Sequence, residues 1–198
     1  MSNIAIKGAA TGSGTFTLEA PATSTNRTLT LPDEAGTILT TATAGVLTNL
    51  DQILHVRDEK TAGTEGGSSV AGNQVRTLNT VVRNTIAGAS LASNQITLPA
   101  GTYTINARSP AYKSNRHRVR LVNVTDSVVL LRGSSEHTGA TDNVSTDSCI
   151  VGVFTLGATN ALNLTHYILD AAATYGLGLS GGDTFVDVYA EAYITKIG

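Results

Sequence analysis

The segment Ser134–His137 holds hydroxyl, carboxylate and imidazole groups, which a hydrolase uses as nucleophile, orienting acid and base. Neighbouring side chains of an extended chain point to opposite sides, so these groups would not converge. The segment Gly176–Gly181 matches the G-x-G-x-x-G pattern of dinucleotide-binding proteins. A strand-like sequence follows it, where that fold needs a helix. We therefore expect neither an enzyme nor a cofactor.

Three arginines, Arg116, Arg118 and Arg120, surround His117 at a spacing of two residues. Successive side chains of a strand point to opposite faces, so these guanidinium groups should share one face. Such a face could contact an anion or a glycan. The alternative is an ordinary solvated strand face.

Three acidic residues, Glu136, Asp142 and Asp147, lie in the long polar segment Gly133–Ser148. Their oxygens could bind a calcium ion, and the alternative is an exposed, solvated loop. The four histidines do not occur at zinc-ligand spacing, and Cys149 has no partner cysteine. The sequence therefore predicts no metal site, with calcium binding left open.

Composition limits the partners of the chain. Charged residues make up only 14% of the sequence and the formal net charge is −2, whereas nucleic-acid binding needs a clustered positive field. We therefore expect no nucleic-acid partner. No apolar run reaches the roughly 18 residues that a membrane helix needs, so we expect no membrane insertion. The single cysteine, Cys149, rules out an intramolecular disulfide framework and is typical of folding in a reducing cytoplasm.

Abundant Thr, Val and Ile favour β-structure, and many short strand-like runs separated by turns predict an all-β sandwich or barrel. The runs are Ile53–Arg57, Gln74–Arg83, Gln95–Leu98, Thr102–Arg108, His117–Val124, Ser127–Arg132, Cys149–Leu156, Ala161–Leu169 and Thr184–Ile197. Residues 52–198 therefore form one predicted β-domain.

Residues 1–50 differ from the rest of the chain in composition. They are mostly Gly, Ala, Ser and Thr, with isolated apolar pairs in a loose repeat of short Thr-rich units. Such a segment buries too little apolar surface to offset an ordering entropy of roughly 1–2 kcal/mol per residue. We therefore expect an extended, β-structured stalk that orders only against sister chains or a larger particle, with a plain flexible tail as the alternative.

The last strand-like run has two different faces. One face carries the predicted core residues, which are Val186, Val188, Ala190, Ala192 and Ile194. The other carries Phe185, Tyr189 and Tyr193 interleaved with acids. Because aromatic residues are enriched at subunit interfaces, we expect these three at a trimer interface. The alternative is a cross-strand ladder within one sheet.

Two stretches resemble known families. Residues 97–105, which read TLPAGTYTI, resemble the strand entry of C1q/TNF-like jelly rolls, and residues 117–125 are similar to the strand that follows there. Residues 31–37, LPDEAGT, resemble a module near the N-termini of phage tail fibres. The resemblance implies a homotrimer of jelly rolls around a threefold axis, preceded by a stalk.

The same resemblance implies a virion protein, assembled in the host cytoplasm. We expect a trimeric tail fibre or spike whose residues 1–50 attach to other virion proteins and whose knob, residues 52–198, binds a host-surface glycan. The alternative is a capsid head fibre or decoration protein without receptor binding. The expected receptor residues lie in two loops, Ala111–Arg116 and Gly133–Ser148. They are Tyr112, Lys113, Asn115, Arg116, Glu136, His137 and Asp142.

Overall fold

The computed structural model describes residues 52–198 and the isolated positions Thr11, Ala22 and Ser24. The described strands all lie between Ile53 and Lys196. The expectations for the stalk in residues 1–50 lie outside the described residues. Within those residues, no helix has the length and apolar character needed to cross a membrane.

Twelve strands make up the regular structure of the described chain. They are β1 (Ile53–Lys60), β2 (Gly72–Val75), β3 (Thr80–Asn84), β4 (Ser90–Ala92), β5 (Gln95–Leu98), β6 (Gly101–Tyr112), β7 (Arg116–Asn123), β8 (Val128–Arg132), β9 (Glu136–His137), β10 (Ser145–Leu156), β11 (Asn160–Ile168) and β12 (Asp187–Lys196). The expected all-β class is confirmed.

The strands form two antiparallel sheets. The first has the order β10-β6-β12-β1-β3, and the second the order β4-β5-β11-β7-β8, with β2 paired to β11 and β9 paired to β7. Eight strands can be numbered from 1 to 8 along the chain, and the two sheets then have the orders 6-3-8-1 and 2-7-4-5. These strands are β1, β5, β6, β7, β8, β10, β11 and β12. This is the strand order of a jelly roll, so the expected sandwich is confirmed.

The core lies between the sheets and follows from strict alternation along the strands. In β12, Ala190, Ala192 and Ile194 are fully buried, and in β7 Val119 and Leu121 are fully buried. Each side chain removed from water contributes roughly 25 cal/mol per Å² of apolar area. Because the inward positions form this core, the alternate positions of these strands face outward, although Tyr189 of β12 is covered by other segments of the chain.

The final strand is shorter than its sequence predicts. It begins at Asp187 and not at Thr184, because the Asp187 carboxylate accepts hydrogen bonds from the backbone N–H groups of Gly181 at 2.7 Å and Gly63 at 2.9 Å. These bonds, first of all the one from Gly181, lower the pKa of Asp187 and fix the preceding residues as a loop. Val186 is consequently exposed, so its expected place in the core is wrong.

The predicted strand Gln74–Arg83 is broken in the structure, where β2 ends at Val75 and β3 begins at Thr80. Between them, Arg76 turns its side chain into the interior, where its guanidinium donates to the carbonyls of Pro110 at 3.2 Å and Leu177 at 2.9 Å. The strand therefore breaks because the arginine needs carbonyl partners that distant loops supply.

The TLPAGTYTI stretch has a clear physical basis. Leu98 is fully buried, and Gly101 lies where a Cβ would meet the Lys196 side chain at 2.5 Å and the Gly198 carbonyl at 2.7 Å. Tyr103 is also fully buried. Its hydroxyl donates to the Pro99 carbonyl at 2.7 Å and its ring stacks on Phe154 at 5.4 Å. The tyrosine thus closes the turn that leads into β6.

We expect Tyr103→Phe to lower the free energy of unfolding by about 1 kcal/mol, because the Pro99 carbonyl loses its donor. Tyr103→Ala should cost about 3–5 kcal/mol through the cavity it leaves. Urea denaturation at fixed chain concentration measures both. Tyr193→Phe, at a partly exposed ring, is the matched control and should change stability by less than about 0.5 kcal/mol. Equal losses at the two tyrosines would contradict the proposed role of the Tyr103 hydroxyl.

Candidate functional site

A groove of about 730 Å³ opens on the outer face of the second sheet, along β7. Its lining is strongly basic and includes one tyrosine. The lining residues are Arg116, His117, Arg118, Arg120, Ser135, Glu136, His137 and Tyr167. The groove brings several polar side chains together on one concave surface, which makes it a candidate binding site.

Alternation along β7 places the arginines. His117, Val119 and Leu121 point inward and are buried. The alternate residues Arg116, Arg118 and Arg120 therefore point outward. The expectation that the three arginines share one face is therefore confirmed. Positions two apart along a strand are separated by roughly 6.8 Å, so three positive groups form a row of about two such steps.

The arginines are held by neutral partners. Arg118 Nη2 donates to the Ser135 hydroxyl. Arg120 Nη1 donates to Asn73 Oδ1 at 3.4 Å, and its guanidinium carbon lies 5.9 Å from the centre of the Tyr167 ring. The ion pairs among the described residues involve none of these groove arginines. Their positive charge is therefore oriented without being neutralised.

Beneath the arginine row, two histidines from different strands form a buried pair. His117 Nδ1 lies 2.9 Å from His166 Nε2, and His117 Nε2 lies 2.8 Å from the Thr146 hydroxyl. Burial lowers the pKa of His117 to about 4 and the pKa of His166 to about 2. Both rings are therefore neutral at pH 7, with one nitrogen of the contact donating to the other.

Thr146, His117 and His166 are linked by hydrogen bonds in series, at the distances expected for a nucleophile, its base and an orienting group. Its electrostatics oppose that role. Burial lowers the pKa of both histidines, with Arg76 adding to the effect, and for His117 it outweighs the opposing charges of Glu136 and Asp147, so an imidazolium is destabilised. In addition, Thr146 does not line the groove. The histidine pair therefore acts as a structural element that fastens β7, β10 and β11 together.

Arg76 is a second buried group at this end of the sandwich. It is fully buried, and burial lowers its pKa to about 10, with Asp58 and Asp147 opposing the shift. The nearby Asp58 carboxyl is also buried, and its pKa is raised by desolvation. Arg76 remains charged at pH 7 and joins β6 to the loop before β12 through its two carbonyl contacts.

The first of the two expected receptor loops is shorter than predicted. Tyr112 belongs to β6 and Arg116 to β7, which leaves only Lys113–Asn115 as the connection. Tyr112 is only 8% exposed and its hydroxyl donates to Asn143 Oδ1 at 3.0 Å. Lys113 Nζ lies over the Tyr112 ring at 5.4 Å, and Asn115 Nδ2 donates to Asp170 Oδ2 at 2.8 Å. These side chains are occupied by contacts within their own chain.

The second expected loop is interrupted by strands. Glu136 and His137 form β9, and β10 begins at Ser145. Pairing of β9 with β7 sets His137 opposite Arg116 and Glu136 opposite His117. Of the seven expected receptor residues, the structure therefore brings Arg116, Glu136 and His137 together in the groove.

The three acids that could bind calcium do not lie together in the structure. Asp142 is exposed and lies against Gly139, which has a φ of +63°. Asp147 accepts a hydrogen bond from Arg108 Nη1 at 3.3 Å, and Glu136 lines the groove. Within the described chain, no three His, Cys, Asp or Glu side chains come together in a way that could hold a metal ion.

The three aromatic residues expected at a trimer interface have different surroundings. Tyr189 is 2% exposed, and its hydroxyl donates to the Thr64 carbonyl at 2.6 Å within the same chain. Phe185 is 74% exposed but precedes β12. Tyr193 is 42% exposed on the outer face of the first sheet, with its ring 5.6 Å from that of His55. The outer face therefore presents Tyr193 alone of the three.

That outer face combines exposed valines with charges that are already paired. Val151 and Val153 of β10 are 79% and 56% exposed. Arg108 Nε lies 3.2 Å from Glu191 Oε2, while Glu191 Oε1 lies 2.8 Å from His55 Nε2. Burial opposes ionisation of Glu191, but the hydrogen bonds from His55 and Arg108 outweigh it and lower the pKa. The two outer faces thus differ. On the first sheet Arg108 and Glu191 form an ion pair, whereas the groove arginines of the second sheet form no ion pair with a described residue.

Comparison with known proteins concerns the fold. No family model and no curated protein matches the sequence. Among solved structures, murine APRIL at pH 5.0 is similar, with 13% identity, a TM-score of 0.48 and coverage of 72% of this chain and 97% of that chain. The globular domain of zebrafish complement 1qA protein is similar with 14% identity, a TM-score of 0.47 and coverage of 75% and 98%. Such distant likeness transfers no function to this chain.

Several residues of the site were not predicted from the sequence. Tyr167 lines the groove from β11, Asn73 of β2 accepts a hydrogen bond from Arg120, and His166 reaches His117 across 49 residues of sequence. The sequence shows the strand periodicity of these segments, but it does not show that β7 pairs with β11 and brings the residues together. No local signal marks such partners.

We expect stability to fall as the pH falls from about 6.5 to about 4. The unfolded chain takes up protons on His117 near pH 6.5, whereas the folded chain holds the pKa of this residue near 4, so the unfolded state binds more protons in this window. The loss should be on the order of 3 kcal/mol for His117. Urea denaturation at intervals of pH measures it.

The matched variant is His117→Gln, which cannot titrate and should remove about half of the fall in stability across this window, because His166 also has a lowered pKa and still takes up a proton only in the unfolded chain. Circular dichroism at pH 8 checks that the variant is folded. An unchanged slope in the variant would contradict the assignment of the acid sensitivity to the buried histidine pair.

Proposed function

We propose that this protein is a virion structural protein of a bacteriophage, the subunit of a homotrimeric tail fibre or spike, and not an enzyme. Residues 1–50 attach it to other virion proteins, and the jelly roll acts as a knob that binds a host-surface glycan. The observation that carries the proposal is the contrast between the two outer faces of the sandwich. One face is suited to a second copy of the chain and the other to a ligand.

The first sheet supports self-association. Its edge strand β10 is 12 residues long and carries Val151 and Val153 uncovered. A long exposed edge with apolar side chains is normally covered, because it otherwise promotes aggregation. The charges of Arg108 and Glu191 on this face are already paired, so covering them costs less than covering free ions. Packing of β10 against the outer face of the next subunit would close a ring after three copies.

The LPDEAGT stretch at residues 31–37 supports the placement on a phage particle, since it resembles a module of tail-fibre N-termini. The non-enzymatic character is supported by the surroundings of two hydroxyl groups at or beneath the groove. Thr146 bonds to a histidine whose pKa is about 4, and Ser135 accepts from Arg118. Neither is an activated nucleophile at pH 7.

A second candidate is a capsid head fibre or decoration protein without a receptor. It is favoured by the intrachain contacts of Tyr112 and Asn115, which leave the shorter expected receptor loop with few free side chains. Labelling intact particles with antibodies against the knob, followed by electron microscopy, separates tail from head. Binding of the purified full-length protein to host cells then separates the adhesive role from the decorative one. A protein absent from particles would overturn both candidates.

We expect Val151→Asp to weaken or abolish the trimer. The side chain is largely exposed in the single subunit, so the fold should survive, but a carboxylate buried at an interface without a partner is strongly unfavourable. Sedimentation equilibrium of the full-length chain and of residues 52–198 measures the assembly, and the shorter chain removes any contribution from residues 1–51.

Val128→Asp is the matched control, since it places the same charge at an exposed valine of the second sheet. It should leave the trimer intact. A monomeric wild-type protein would overturn the trimer proposal, and an unaffected Val151→Asp trimer would exclude β10 from the interface.

A further inference from the structure

We propose that the β7 groove binds an acidic polysaccharide, with Arg118 and Arg120 binding its anionic groups and Tyr167 packing against a sugar ring. This inference rests on the proposed host-surface role and names the class of ligand that the role requires. Four features of the groove lead to it.

The first feature is an accumulation of like charge that has no structural benefit. Besides the row on β7, pairing of β7 with β8 sets Arg132 directly opposite Arg120. Like charges directly opposite each other in a sheet are destabilising. The ion pairs among the described residues involve none of these arginines. A bound anion would relieve this repulsion, so the arrangement favours an anionic ligand.

The second feature is the orientation of Arg118. Its Nη2 group donates to Ser135, which holds one side of the guanidinium, while Nε is buried and has no hydrogen-bond partner. An unpaired buried donor is costly, and a carboxylate that displaces the atoms covering Nε could accept two parallel hydrogen bonds from this edge of the guanidinium. Arg118 is therefore partly positioned and still has a donor to satisfy.

The third feature is the aromatic ring beside the charges. Tyr167 is the direct neighbour of Arg118 across the β7–β11 pairing, and Asn73 flanks it on the other side from β2. Arg120 lies close to the ring face, with 5.9 Å between the guanidinium carbon and the ring centre. An aromatic ring beside amide and hydroxyl groups offers an apolar surface together with hydrogen bonds, and a sugar ring presents both kinds of group.

The fourth feature separates a polysaccharide from a nucleic acid. Glu136 lines the groove and would repel a closely spaced chain of phosphates. The formal net charge of the protein is −2, and the rings that line the groove are one phenol and two imidazoles, of which that of His117 is buried, whereas single-stranded nucleic acids are bound by basic channels with repeated stacking platforms. A polymer with more widely spaced charges and hydroxyl groups suits this lining better.

The groove also lies on the sheet opposite to the valines of β10, so assembly through the first sheet would leave it open. Three grooves on one particle component would raise the effective concentration of each for a repeating polymer. Weak binding at one site is then sufficient for attachment.

The test measures binding of the full-length protein to four polymers by biolayer interferometry at low and moderate salt. They are polygalacturonate with one carboxylate per ring, dextran sulfate, neutral dextran and oligothymidylate. We expect binding to one or both acidic polysaccharides and not to neutral dextran. Carboxylate and sulfate ligands are distinguished by which polymer binds more tightly. Equal binding of neutral dextran, or tighter binding of oligothymidylate, would overturn the inference.

Variants identify the groove. Arg118→Ala should weaken binding about tenfold or more and reduce its salt dependence, since a charged hydrogen bond is lost. Arg118→Lys should rescue little, because an ammonium cannot replace the planar fork of the guanidinium. Tyr167→Ala should weaken binding while leaving the salt dependence unchanged. Arg57→Ala removes one positive charge from the opposite sheet and is the matched control, with no expected effect.

Failure of this inference can be told apart from failure of the proposed function. If Arg118→Ala and Arg57→Ala bind acidic polysaccharide equally well, the groove is not the site, even where the wild type still attaches to host cells. If the wild type binds polygalacturonate through Arg118 but attaches to no host cell, the inference stands and the host-surface role falls.

Discussion

Val119 and Leu121 are fully buried between the two sheets, and their packing fixes the register of β7. A slip of one residue would turn both into solvent and push arginines into an apolar core, so the register is strongly specified. The row of guanidinium groups, the inward direction of His117 and the position of the groove all follow from this packing. The same constraint acts on β12, where Ala190, Ala192 and Ile194 fix which residues face outward.

The interior itself is divided into two parts. Most of it is apolar, but the end near the groove contains Arg76, His117 and His166, together with the buried Asp58. Carbonyls, a threonine and a second imidazole provide partners for Arg76 and the two histidines, whereas neither carboxylate oxygen of Asp58 has a hydrogen-bond partner. This end of the domain gains specific long-range links between strands at some cost in stability.

Local patterns in the sequence predicted the all-β sandwich, the shared face of the β7 arginines and the core side of β12. They failed where a distant group decides the outcome. Tyr189 has the spacing of an outward residue, yet its hydroxyl reaches Thr64, 125 positions away along the chain. Asp187 ends the loop because Gly63 and Gly181 donate to it, and β9 is only two residues long. Periodicity describes which way a side chain points along one strand, but not which other segment arrives beside it.

The groove and the valines of β10 lie on opposite sheets, with the packed core between them. Substitutions at sites this far apart, without shared partners, affect free energy almost independently. The arginine row could therefore change in charge, spacing or aromatic content without disturbing the contacts of β10 or the buried residues of β7. Single substitutions in the groove could therefore change what it binds while the scaffold stays the same.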